Sequence, residues 1–359
     1  MTDKEEKQTQ QDKAEVHRRR PHYSGRYPRR FEEKYKELNP EKYGETIEHV
    51  KSKGSTPAGM HVPIMVEEIL TVLDIKAGEQ GYDATLGYGG HTSAMLARLN
   101  HSGRLYAGDA DPLELAKTEA RLRAQGWTEE DFAPRHMNFS RINELAAEVG
   151  GFDFILADLG VSSMQLDNPE RGFSYKTDGP LDLRLDPTQG KSAAERLAEL
   201  DEAELCGLLE TNADEPYAEQ IARAVVRSGR RRKIETTQEL AEIVKQALAK
   251  EKFPAAERRE AERKACARVF QALRIDVNRE YEVLYDFLEK LPHALRPGGR
   301  VAILTFHSGE DRLVKQALKA QERAGLYSEI AREVTRPSAA ECGRNPRSRS
   351  TKLRWAIKA

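Results

Sequence analysis

The residues best suited to chemistry in this chain are acids that close apolar runs. Asp83 heads the stretch DATLGYGGHTSAML (83–96), and Gly87, Gly89, Gly90 and His91 follow it. Asp109 ends RLYAGD, 22 residues after Gly87; Asp158 ends FDFILAD; His307 follows GRVAILTF. Glycines after a strand let backbone approach a ligand, and a helix opening on them offers its N–H groups to an anion. No lysine stands in P-loop spacing, which disfavours a nucleoside triphosphate. The glycine order also departs from the dinucleotide fingerprint, and a pyrophosphate here would sit near the like charge of Asp83. S-adenosylmethionine meets neither objection. Its sulfonium is positive, its carboxylate can use N–H groups near Gly89, Gly90 and His91, and Asp109 suits two hydrogen bonds to ribose hydroxyls. A plain turn is the alternative for the loop.

The polar stretch DLGVSSMQLDNPERGFSYKTDGPLDLRLDP (158–187) follows the most apolar strand candidate. Ligands of open α/β sheets lie outside the carboxyl ends of the strands, so Asp158 is expected to share one crevice with Asp83 and Asp109. Ser162, Ser163 and Gln165 are placed to hydrogen-bond cofactor or base, with turn formation the alternative for the serines and capping for Asp158. His307 is a candidate proton acceptor or base contact. Ser308 is expected to cap the helix after it, with Asp311 in the first turn. The three cysteines, Cys206, Cys266 and Cys342, are scattered without a CxxC, so neither a disulfide framework nor a metal site is expected.

These acids need strands to hold them. Helical periodicity is expected over 61–73, 90–99, 112–125 and 142–149, and strands over 81–85, 104–111, 133–140 and 152–160. Such alternation with buried strands implies an α/β, doubly wound, mostly parallel sheet. From 168 to 277 the pattern is helical, with capping-box spacing at Ser192–Glu195 and Thr236–Glu239. A helix (280–291) and a strand (300–308) then resume the α/β pattern, and YSEIAREVT and TKLRWAIKA suit a terminal hairpin. The expected organisation is a polar, basic extension over 1–56 without apolar periodicity, an α/β domain made of 57–167 and 278–359, and a helical insertion over 168–277.

Hydrophobic residues make up 38% of the chain and charged ones 33%, with a formal net charge of −1. No stretch approaches the roughly 20 apolar residues of a membrane span. The first residues, MTDKEEKQTQQDK, lack the apolar core of a secretory signal, and a cytoplasmic protein is expected. The charge is unevenly spread. VHRRRPHYSGRYPRR (16–30), RSGRRRK (227–233) and RPSAAECGRNPRSRSTKLR (336–354) are basic clusters able to meet a polyanion. Arg230, Arg231, Arg232, Lys233, Arg344, Arg347 and Arg349 are the RNA-contact candidates, a solvated helix end being the alternative for 230–233.

Together the segments HVPIMVEEIL, DATLGYGGHTSAML, DLGVSSMQLDNPERGFSYKTDGPLDLRLDP, ARVFQALRIDVNRE, GRVAILTFHSGEDRLVK and NPRSRSTKLR resemble the bacterial small-subunit ribosomal RNA cytosine-N4 methyltransferase family, over roughly 58 to 359. The resemblance implies a class I S-adenosylmethionine-dependent methyltransferase, Rossmann-like, with a mostly parallel seven-stranded sheet and an inserted helical domain that recognises ribosomal RNA. It implies methylation of a cytosine N4 in the decoding centre (P-site region) of 16S rRNA within the small (30S) subunit. Cofactor contacts carry over to Gly89, Gly90, His91, Asp109, Phe139, Asp158 and Gln165; Phe139 also suits a flat neighbour for adenine. Gly309 stands where that family usually has leucine, and Met164 where proline is common. Asp158, the carbonyls of 159–161, Ser162, Ser163 and His307 are the candidates to hold the amino group and take its proton. A nicotinamide oxidoreductase and a non-catalytic RNA-binding assembly factor remain the competing readings, and a homodimer is left open. A DNA amino-methyltransferase is disfavoured, since DLGVSS replaces the Pro-Pro-aromatic segment.

Overall fold

The computed structural model describes residues 63–359, so the extension over 1–56 lies outside the described residues. The first half runs α1 (Val66–Leu73), β1 (Gln80–Asp83), α2 (Gly90–Leu99), β2 (Arg104–Asp109), α3 (Pro112–Ala124), β3 (Phe132–His136), α4 (Ile142–Val149) and β4 (Phe152–Asp158). A short helix, α5 (Ser163–Asp167), leads into α6 (Ala193–Glu199), α7 (Glu202–Ala213), α8 (Ala218–Gly229), α9 (Thr237–Ala247) and α10 (Ala255–Asn278). The chain then returns through α11 (Glu280–Ala294), β5 (Leu295–Thr305), α12 (Ser308–Arg323), β6 (Tyr327–Ile330), α13 (Ala339–Arg344) and β7 (Lys352–Lys358).

The strands form one 7-stranded sheet in the order β3-β2-β1-β4-β5-β7-β6. The first five are mutually parallel; β7 runs antiparallel to β5 and to β6. This is the class I methyltransferase fold expected from the sequence, with the late hairpin as its antiparallel edge. After β3 the chain crosses back to lay β4 beside β1, and a crevice opens where the order reverses. β4 reads as a continuous apolar run because both faces are covered. Ile155 and Ala157 join a core with Phe287 and Leu291 on one side, while Phe154 and Leu156 join Leu73 and Leu96 on the other.

The helices from α6 to α10 enclose a core of their own, with Leu205, Leu209, Ile221, Val225, Leu240, Val244 and Leu273 all buried. Both expected capping boxes form, at Ser192–Glu195 and Thr236–Glu239, and Asp201–Glu204 makes a third. The helical expectation fails over 172–191, which runs in turns and bends and makes one isolated bridge, Pro180 to Thr236. Close backbone approach forces this: a Cβ on Gly172, in the left-handed region at φ 68°, would collide with the Pro180 carbonyl. No helix among the described residues is long and apolar enough to cross a membrane.

Candidate active site

A cavity of about 890 Å³ opens at the carboxyl ends of the central strands. Ordinary ligand sites span roughly 300–1,000 Å³, so this one has room for more than a single small group. Its walls come from the loop after β1, the ends of β2, β4 and β5, the turns before α6, the facing sides of α10 and α11, and the loop before β7.

The loop between β1 and α2 carries two left-handed glycines, Gly87 at φ 48° and Gly89 at φ 76°. Gly89 is the N-cap of α2 and provides no side-chain acceptor, so no side chain caps that helix start. A Cβ there would lie 2.7 Å from the Thr118 methyl. From behind, Thr118 Oγ1 donates to the Gly87 carbonyl at 2.5 Å and Arg121 to the Tyr88 carbonyl at 2.7 Å. Asp109 supports the loop from the end of β2. Its Oδ2 accepts from the Gly87 N–H at 2.7 Å and its Oδ1 from the Asp111 N–H at 2.8 Å, leaving further lone pairs for a ligand. Burial pushes the Asp109 carboxyl up to about 6, against the pull of those two N–H groups.

Asp83 does not share the crevice, contrary to expectation. It is 1% exposed and lies beneath the loop, accepting from Thr92 Oγ1 at 2.6 Å and the Thr85 N–H at 3.1 Å. The first turn of α2 closes over the end of the central strand and turns this acid into an anchor. Asp109 and Asp158 both line the cavity.

His91 donates from Nε2 to the Ile64 carbonyl at 2.9 Å, and its Nδ1 lies 3.4 Å from Asp158 Oδ2. Burial opposes charge on the ring, but Asp158 outweighs it and the pKa is raised. Asp158 also receives support through its backbone, whose N–H donates to Thr85 Oγ1 at 2.7 Å. Its Oδ1 is buried with no hydrogen-bond partner. Buried acceptors are rarely left bare, so this oxygen stands ready for a donor on a ligand.

Gln165 and Ser162 form a capping box: Ser162 Oγ accepts from the Gln165 N–H at 3.2 Å, and Gln165 Oε1 accepts from the Ser162 N–H at 2.9 Å. Ser162 therefore caps α5, whereas turn formation was the alternative expected for it. The Ser163 carbonyl accepts from Arg347 at 3.4 Å. Phe139 packs edge-on against Phe287 at 5.1 Å while also lining the cavity, so it serves core and site together.

At the end of β5 the cap is His307, not Ser308. Its Nδ1 accepts from the Glu310 N–H at 3.5 Å, and Glu310 Oε2 accepts from the Phe306 N–H at 2.8 Å. The helix starts one residue earlier than supposed, and the imidazole does the work of a capping hydroxyl. Asp311 lies in the first turn as expected, where it binds Arg354 at 2.6 Å and Lys352 at 2.8 Å. A Cβ on Gly309 would collide with the Tyr281 hydroxyl, so no larger side chain fits there while Tyr281 keeps its place.

Several site residues escaped the sequence reading. Asp111 is fully buried; its Oδ2 accepts from Arg171 at 2.6 Å and Gln165 Nε2 at 2.9 Å, while its Oδ1 caps α3. The Asp-Pro pair before a helical run signalled the cap, but nothing signalled Arg171, 60 residues away. Arg274 on α10 forks onto Glu280 of α11 at 2.7 and 2.9 Å. Glu280, His307 and Glu310 present donor atoms within 4.8 Å of one another, a spacing that admits a cation. The guanidinium already holds both oxygens of Glu280 and would repel one.

The basic candidates separate. Arg347 and Arg349 line the cavity mouth, where Arg347 donates to Asp167 at 2.8 Å. Arg344 closes α13 outside the lining. Arg230, Arg231, Arg232 and Lys233 are exposed at the end of α8, also outside the lining; Arg232 pairs with Glu239, and Lys233 lies 3.9 Å from Glu235.

Comparison with known proteins agrees with this geometry. The model of the MraW methylase family matches residues 58–359. Ribosomal RNA small subunit methyltransferase H 1 of Agathobacter rectalis is 61% identical, over 96% of this chain and 98% of its own length. The protein of the same name from Lachnoclostridium phytofermentans is 58% identical, over 98% of this chain and 96% of its own. Ribosomal RNA small subunit methyltransferase H 2 of Alkaliphilus metalliredigens is 55% identical, over 96% and 99%.

Proposed function

This chain belongs to the MraW methylase family, whose cofactor is S-adenosylmethionine, and from that premise we propose that it methylates the exocyclic N4 of a cytosine in the decoding centre of 16S ribosomal RNA within the small subunit. The observation that carries the reading is the bare Asp158 Oδ1 in a cavity that also holds Asp109 and the uncapped start of α2. These groups suit a ligand that is anionic at one end, cationic in the middle and hydroxylated beyond.

When bound, S-adenosylmethionine supplies an electrophilic methyl group. The N–H groups of Gly90 and His91, after Gly89, take its carboxylate. Asp109 accepts from the ribose hydroxyls, and Phe139 offers a ring to the adenine. Gln165 spends its amide on Ser162 and Asp111 and so positions the wall of that pocket. Asp158, paired with His91 through Oδ2, keeps Oδ1 for the amino group of the target base. Accepting a hydrogen bond from that amine returns its lone pair from the ring to nitrogen and orients it for attack.

The base must leave its stack to enter the cavity. Phe173, Tyr175 and Phe270, from the segment between β4 and β5, line the cavity and give it apolar faces. Residues 168–277 act as the recognition insertion. Arg344, Arg347, Arg349 and the cluster Arg230–Lys233 contact phosphates, which makes binding depend on salt. The protein acts where small subunits are found, in the cytoplasm.

The test is transfer of labelled methyl groups to small subunits from a strain lacking this protein, with the modified nucleotide identified by mass spectrometry. An N4-methylated cytidine is expected. Binding of subunits without transfer would instead support an assembly factor.

A further inference from the structure

His307 was the obvious base at the end of β5, but both its ring nitrogens face Glu310. Nδ1 accepts from the Glu310 N–H at 3.5 Å, and Nε2, buried without a hydrogen-bond partner, lies 3.1 Å from Glu310 Oε1. The group that faces the reaction is the carboxylate beside it. We propose that Glu310 is the second acceptor for the amino group of the target base and takes the proton which that group loses; this rests on the cytosine-amine reading above.

Glu310 is 3% exposed yet lines the cavity. Its Oε2 is held by the N–H groups of Phe306 at 2.8 Å and His307 at 3.4 Å. Its Oε1 points to the turn after β4: a Cβ built on Gly160 would lie 4.0 Å from it and 3.8 Å from the Phe306 ring. Gly160 stands two residues after Asp158, whose Oδ1 has no partner. One carboxylate thus ends β4, and the other, from the first turn of the helix after the adjacent β5, approaches the turn that follows it, with an aromatic wall beside them.

An exocyclic amine presents two N–H groups, and two anionic acceptors match them. Uracil would offer a carbonyl oxygen at the same place and meet two negative charges, so the pair also discriminates between the pyrimidines. The nitrogen lone pair forms the bond to the methyl carbon while the carbon–sulfur bond of the sulfonium breaks and its electron pair stays on sulfur, leaving a neutral thioether and a positive nitrogen. One N–H bond then breaks, its electron pair stays on nitrogen, and the proton goes to Glu310 Oε1 and on to water at the cavity mouth. The product is a neutral secondary amine. A carboxylate is base enough because the methylated cation is a strong acid. Burial works against the charge on Glu310, but His307, Arg274 and the Phe306 N–H outweigh it and hold the carboxyl below its usual range.

The full chain is compared as wild type, Glu310→Gln, Glu310→Asp and Glu310→Ala. Methyl transfer to unmodified small subunits is measured beside calorimetric titration with S-adenosylhomocysteine. Glu310→Gln is expected to lose about 10²-fold or more in kcat. Its KM and its affinity for S-adenosylhomocysteine should stay within about threefold of wild type. Glu310→Asp should retain more activity than Glu310→Gln, and added formate should restore part of the rate of Glu310→Ala, a rescue no purely structural role explains. A Glu310→Gln enzyme as fast as wild type or as Glu310→Asp overturns the proposal. So does a Glu310→Ala enzyme that binds S-adenosylhomocysteine normally and ignores formate. If Glu310→Ala gives no heat, the Asp and Gln variants decide alone. Wild-type product methylated on a ring carbon or ribose removes both the reading and the proposal. N4-methylcytidine from wild type and from an undiminished Glu310→Gln enzyme removes the proposal only.

Discussion

Around Asp109 the cavity is made largely of backbone. Two left-handed glycines, an uncapped helix start and a carboxylate held by two N–H groups lie within about thirty residues of chain, behind parallel strands that pin them. Around Glu310 the cavity is made of side chains brought from far apart: Phe173 and Tyr175 after α5, Phe270 and Arg274 from α10, Glu280 from α11, and Phe306 and His307 after β5. The first half grips a ligand by geometry that the fold imposes. The second depends on α10 and α11 packing at the strand ends. Damage to the first half should therefore appear in cofactor affinity, and damage to the second in turnover or substrate affinity.

That division can be broken most sharply at Asp158, which stands between the halves. Asp158→Asn is expected to lower kcat by about 10²-fold or more while S-adenosylhomocysteine still binds. It should also lower the His91 pKa, read by nuclear magnetic resonance, because the carboxylate that raises it is gone. Equal losses in cofactor affinity and turnover would place Asp158 wholly in the first half.

Asp109→Ala should weaken S-adenosylmethionine by about 10- to 100-fold, the worth of hydrogen bonds to a charged group, with the fold intact. The acceptor form of Asp109 exists above its pKa of about 6, so wild-type affinity should fall as pH drops through that value. The alanine variant should lose this dependence. A wild-type affinity flat from about pH 5 to about pH 8 on calorimetry would remove Asp109 from the ribose.

Tyr175→Ala tests the second half. Loss of one stacking face, about 1–3 kcal/mol, should raise KM for subunits roughly tenfold and leave S-adenosylhomocysteine binding unchanged. The smallest effect is expected from changing Arg230–Lys233 to serine. Two of the four already have acidic neighbours, so the slope of log affinity against log salt should flatten by only about one to two units. An unchanged slope would leave phosphate contact to Arg347 and Arg349 at the mouth.

The same contrast explains what the sequence made legible. α2 and α4 match their expected bounds, and the strands were found within a few residues, because hydrophobic period and glycine placement are local signals. The loop and Asp109 were readable for that reason. Asp83 was misplaced because an acid at a strand end looks the same whether it faces a ligand or a neighbouring threonine. Ser308 was preferred as a cap because hydroxyls commonly cap helices, whereas His307 takes the position here through a ring nitrogen. The turns over 172–191 were missed because glycine contacts with distant backbone leave no periodic trace. Nothing in the sequence singled out Glu310 at the start of α12 or Arg274 on α10. Their meeting is tertiary.

The fork between Arg274 and Glu280 has a consequence for anyone who treats the insertion as a cassette. Its two partners stand on opposite sides of the boundary proposed at 277–278, each 14% exposed. A chimera that exchanged residues 168–277 for a foreign RNA-reading module would leave Glu280 facing whatever side chain the new helix brought. Stripping one partner from a buried ion pair costs about 3–5 kcal/mol, enough to unseat a graft whose two parts each fold well. A transplant that keeps α10 native from Arg274 onward carries the guanidinium with it and avoids that cost.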